Sequence, residues 1–217
     1  MAIAVDSQGG EIHIASTSHT QSFTVGTGSN RKLIVAVETQ AVGDVVTGIT
    51  YNGVSMTQAV KRVSHFSSAF FEYMYYLDAP ASGANNIVVS CSSSVAIGLA
   101  YASYTGCATG TDSTVNSSAA SGTTFAQAFT TVADNSWTID WIRADAGGAI
   151  PTASTNSFKR TGVTGDVGII LCDSNSAITP AGSYTMNYTS AVSTTWTSVG
   201  MSFAPSVSQR SNFFAFM

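Results

Sequence analysis

Apolar residues in this chain recur at every second position, and no segment carries a helical period of any length. The alternation is clearest from Val46 to Gly106, which reads VTGITYNGVSMTQAV, then FFEYMYYLDAPASGANNIVVS, then VAIGLAYASYTG. Asn52-Gly53 accepts the positive φ angles of a type I′ turn, whose twist suits a two-residue hairpin. That turn fixes a register in which Tyr51 faces Val54 and Ile49 faces Met56. A slip by one residue would expose the apolar set. Phe70 to Leu77 is apolar on both faces, as a strand covered on both sides must be. In Val95 to Tyr104 the odd positions are large (Val95, Ile97, Leu99, Tyr101). The even ones are small up to Tyr104 (Ala96, Gly98, Ala100, Ala102), which lets another surface come close, a second sheet or a subunit.

Other segments extend the pattern. Residues 1–11 read as an N-terminal arm, 12–15 and 22–25 as two short strands, and Leu33 to Thr39 as a clear one. Gly110 to Gly122 is rich in Ser, Thr and Gly and reads as a surface loop. In the second half Trp137, Ile139 and Trp141 share one face, opposite Thr138 and Asp140. Ile169 and Leu171 alternate with Ile170 and Cys172, and Val199, Met201 and Phe203 share a face from which Trp196 is out of phase. Either a bulge shifts the register there or Trp196 lies on the outer face. The second half also echoes the first: Asn135 follows Asn30 by 135 − 30 = 105 residues and Pro180 follows Pro80 by 180 − 80 = 100. The expected fold is all-β: an antiparallel, jelly-roll-like β-sandwich with two related halves in one domain over residues 1–205. Each half, read as four strands, is too thin for a core of its own, which favours one sandwich built from both.

Charged residues make up 9% of the chain, against about 25% in an average soluble domain. No apolar run approaches the ~18 residues of a membrane span, so Ser, Thr, Asn and Gly must carry the contact with water. The formal net charge is −4, with basic residues only in short pairs, which argues against direct nucleic-acid binding. The N-terminus lacks the basic and apolar regions of a secretory signal. A chain made in a cytosol with the surface of an extracellular protein suits a virion component, released by lysis.

Sites of chemistry are sparse. His13, His19 and His65 show no ligand spacing with Cys, carboxylate or one another. Asp140 and Asp145 flank Arg143, suggesting a local ion pair. Cys91, Cys107 and Cys172 are too few and scattered for a disulfide framework or zinc site. Cys91 and Cys172 read as buried thiols and Cys107 as the most exposed. No catalytic, metal or cofactor motif is present, and the expectation is a non-enzyme. Two surface features remain. Tyr104, Tyr188 and Trp196 are candidates for a sugar-stacking platform. The tail after Pro205 runs through a polar spacer to Phe213, Phe214, Phe216 and Met217, an apolar cluster that needs a place to dock.

The pattern of Leu33 to Glu38, Ile49 to Val54, Tyr75 to Gly83 and Tyr104 to Gly106 resembles uncharacterised jelly-roll-like proteins of phage virions and bacterial surfaces. The resemblance spans roughly residues 20–205 and rests on strands and turns. It implies a virion-exposed decoration or tail- or fibre-associated subunit that binds copies of itself or other virion proteins. The alternative is an adhesin or receptor-binding module for a cell-surface glycan.

Overall fold

A computed structural model describes residues 1–64, 70–144, 151–163 and 168–207. Thirteen strands lie among the described residues. The first half contains β1 (Ala4–Val25), β2 (Lys32–Gln40), β3 (Val46–Tyr51), β4 (Val54–Ser55), β5 (Thr57–Val63), β6 (Phe70–Asp78) and β7 (Gly83–Thr105). The second contains β8 (Ser113–Thr130), β9 (Trp137–Ala144), β10 (Thr152–Ala153), β11 (Phe158–Val163), β12 (Gly168–Asp173) and β13 (Ser183–Phe203). All pairings are antiparallel, and the fold is an all-β sandwich. The first sheet runs β1-β7-β2-β6-β5, with β3 on β7 and β4 on β3; the second runs β8-β13-β9-β12-β11, with β10 on β13. The two orders are the same, β4 alone having no counterpart among the described residues of the second sheet. The Asn52-Gly53 hairpin has the expected register, Tyr51 opposite Val54, with φ of 50° and 76° at the turn.

The long strands differ from the sequence expectation. Residues 4–25 form one strand of 22 residues, where an arm and two short strands were expected, and the Gly110–Gly122 stretch is mostly the start of β8. The reason is that these strands fold over. β1 breaks register with β7 between His13 and Ser18, and β8 breaks register with β13 between Thr189 and Thr194. Ser- and Gly-rich sequence marks a bend within a strand there, where it had read as a loop. The first half of β7 pairs with β3 and its second half with β2, so one strand serves two layers. Phe23 pairs with Asn85 early in β7, yet its ring lies 4.7 Å from that of Tyr101, far along the same strand. Between the layers sits an apolar cluster that includes Leu33, Val35, Tyr51, Tyr73, Ile87 and Leu99. The second half has its counterpart around Phe129, Ile142, Ile170, Met186 and Trp196. A half is therefore thicker than its strand count implies and buries a core of its own.

A third cluster joins the halves: Ile34, Ala36, Met74, Ala100, Ala102 and Tyr104 from the first sheet meet Trp137, Ile139, Trp141, Leu171, Val199, Met201 and Phe203 from the second. The small face of β7 is thus the close approach of one sheet to the other; a Cβ on Gly98 would stand 3.4 Å from Ile169 Cδ1. Contacts across this interface come in matched pairs: β1 over β11 and β8 over β5, β7 over β11 and β13 over β5. This is a pseudo-twofold arrangement. Equivalent positions on β2 and β9 differ by 105 (137 − 32), and on β7 and β13 by 99 (203 − 104), as read from the pairs Lys32–Tyr104 and Trp137–Phe203. Small polar details repeat as well. Asp6 accepts from the Gly26 N–H and the Ser103 hydroxyl; Asp112 accepts from the Val132 N–H and the Ser202 hydroxyl. Asn30 and Asn135 both take positive φ, 53° and 63°, just before β2 and β9.

Candidate functional site

The aromatic residues proposed as a glycan platform are not on the surface. Tyr104 and Trp196 are 0% exposed and Tyr188 1%. Tyr104 lies in the cluster between the halves, with its ring 5.0 Å from that of Phe203. Tyr188 and Trp196 lie in the core of the second half, both stacked on Phe125. Trp196 is out of phase for two reasons: a register shift between Thr195 and Trp196, and a second core on the far side of β13. No sequence signal announced that core, so aromatics pointing toward it read as surface. Phe213, Phe214, Phe216 and Met217 lie outside the described residues, as does His65. Cys91 and Cys172 are buried as expected, but so is Cys107, whose thiol burial pushes up to about 12. It bridges to Pro205 at the end of the sandwich, which covers it.

The polar chemistry of this protein is sunk in its interior. Arg143, expected to pair with its neighbours Asp140 and Asp145, instead crosses from β9 to Glu38 on β2, and Asp145 lies outside the described residues. Glu38 stands opposite Glu72, which stands opposite Arg62, so these four side chains share one end of the interface between the halves. Arg143 also caps the Phe70 ring at 3.8 Å. Asp140 faces the second core and accepts from Ser198 and, at 2.9 Å, from the Tyr188 hydroxyl. No cation is among those partners, and burial raises its carboxyl to about 7. Asp173 takes a two-pronged bond from Arg160 at 2.6 and 2.8 Å and a third from Tyr104 at 2.8 Å, tying the first half to the second. Buried Lys32 pairs with Asp78 and donates to the Gly110 carbonyl at 2.8 Å. Lys32, Glu38, Glu72, Asp140, Arg143 and Asp173 are buried, so this network holds strands and halves together.

The feature that faces outward is the segment around Ser206, beside the N-terminus. The Met1 amino group donates to the Ser206 carbonyl at 2.6 Å, the Ser206 N–H to Gly106 at 2.7 Å, and Asn30 Nδ2 to the Ser206 hydroxyl at 3.1 Å. Beside this knot lies a hollow of about 670 Å³ walled by Met1, Ile3, Trp137, Ala177, Pro205 and Val207. Val207 stands 87% exposed on its rim. One further residue pair came together that spacing did not reveal: the imidazoles of His13 and His19, 5.5 Å apart.

No protein-family model matches the chain, and no curated protein sequence matches it. Among the described residues there is no helix long and apolar enough to cross a membrane.

Proposed function

We propose that this chain is a structural subunit of an assembled particle, a capsid decoration or tail- or fibre-associated virion protein that acts through protein–protein contacts. The observation that supports it best is the pinned Ser206 beside a hollow walled largely by apolar side chains. Three hydrogen bonds fix Ser206, so the spacer and the aromatic segment at 213–217 start from a set point on a rigid scaffold. Three phenylalanines and a methionine within five residues, Phe213, Phe214, Phe216 and Met217, form an apolar cluster whose burial against an apolar site on a neighbour is favourable. The distribution of charge agrees with this reading. Lys32, Glu38, Glu72, Asp140, Arg143 and Asp173 are all buried, which leaves an outer surface poorer in charge than the composition implies. Such a surface of hydroxyls and amides can pack against copies of itself without leaving charges unpaired.

The test is solution mass by light scattering for the full chain and for a version ending at Val207, which keeps every bond to Ser206. A defined oligomer that becomes a monomer of unchanged melting temperature on truncation is the expected result. Two monomers of equal stability overturn the assembly role of the tail. A truncated monomer that melts lower also overturns it, because the tail then belongs to its own fold.

A further inference from the structure

The one pair of histidines in the described residues sits where β1 folds over. His13 pairs with Ile97 and His19 with Val89, and both partners belong to the core of the first half. Each imidazole therefore points inward from a different layer, and together they close the open edge of the sandwich. Their ring centres are 5.5 Å apart, with planes inclined at 67°. His19 is 3% exposed and His13 half-buried. The Nε2 atoms of both rings are buried and have no hydrogen-bond partner. Two such orphans are costly, because a buried polar atom without a partner loses its hydration and gains nothing in return. A single shared partner would satisfy both.

We propose that His13 and His19 form a two-imidazole site for a borderline divalent transition metal such as Zn²⁺, Ni²⁺ or Cu²⁺. Geometry is the first support. With metal–nitrogen bonds of about 2.0–2.1 Å and a tetrahedral angle, two imidazoles aimed at one ion place their ring centres about 5 Å apart, close to the spacing here. Chemistry is the second. Neutral imidazole is the form that binds metal, and the buried Nε2 atoms of both rings are the positions that would face the ion. The carbonyls of Ser16 and Val95 lie beside the His19 ring. Metal-bound histidines use such acceptors to fix the second N–H. Among the described residues no third Cys, His or carboxylate completes the set. Water would fill the remaining positions, and affinity should be micromolar rather than that of a four-ligand structural site. The ion would act as a clip between the two layers at the fold of β1.

The test is equilibrium dialysis and thermal unfolding of the chelator-treated full chain with ZnCl₂ or NiCl₂ at pH 7.5 and pH 5.5. Expected at pH 7.5 is one equivalent bound. The expected rise in melting temperature is about 5–10 °C at a hundredfold excess over Kd, with both effects reduced at pH 5.5, where protons compete for the imidazoles. His13→Asn and His19→Asn should each abolish binding. His13, half-buried on an edge strand, gives the decisive variant if the His19 substitution does not fold. Failure of the unmodified chain to bind, or binding that survives His13→Asn and disappears with His65→Asn, overturns the site.

Discussion

Asp140 sits, fully buried and with no cation among its partners, in an environment that a carboxylate disfavours. A carboxyl that titrates near 4 in the unfolded chain is held to about 7 in the fold. The folded state binds this proton more tightly, so stability is full below about pH 4 and falls as pH rises toward 7, by about 4 kcal/mol in total. Urea unfolding at pH 4.5 and pH 8 should show that loss, and Asp140→Asn should remove most of it; an unchanged pH dependence would contradict the assignment. The left-handed asparagines make a second residue-scale case. Asn30→Ala and Asn135→Ala should each cost about 1 kcal/mol, and glycine should be nearly neutral at 135, while at 30 it relieves the backbone but loses the bond to Ser206; denaturant midpoints decide it. Both asparagines were legible in advance because their spacing of 105 residues repeats a local turn chemistry. The fate of Tyr104, Tyr188 and Trp196 was not. Side-chain alternation says which residues share a face, but not whether a further layer covers that face.

At the scale of elements, the folded-over strands carry the architecture. The Asn52-Gly53 hairpin could be read to the residue, since a two-residue turn sets its own register. β1 and β8 could not, because Ser, Thr and Gly give the same signal for a loop and for a bent strand. What holds β1 bent is contact across the fold, chiefly the Phe23 ring on Tyr101. Phe23→Ala should cost about 3–5 kcal/mol, while Val42→Ala, at a position that is exposed, should stay within about 0.5 kcal/mol. Equal effects of the two substitutions would mean the layers are not held by this core.

For the whole molecule, the interface between the halves decides stability. The echo at 105 and 100 residues pointed to two related halves, and the same strand order in both sheets bears it out. Their mode of packing was out of reach, since Glu38 and Arg143 are far apart in sequence and carry no mark of meeting. Arg143→Glu places another carboxylate beside Glu38 and Glu72 in a buried setting, and should destabilise the protein by about 3–5 kcal/mol or prevent folding. Adding Glu38→Arg restores the opposite pair with its ends exchanged and should recover a large part of that loss, measured as coupling in a double-mutant cycle. Additive effects would show that the pair does not act as one.

Glu38 and Arg143 have a further meaning. With 143 − 38 = 105, they occupy the same position in the two halves and touch each other, as Tyr104 and Phe203 do. Two identical copies packed this way would have to set glutamate against glutamate. Joining the copies in one chain lifts that requirement, because each side of the axis can then carry its own residue. The ion pair that joins the two halves is thus something that no self-pairing of the first half can reproduce.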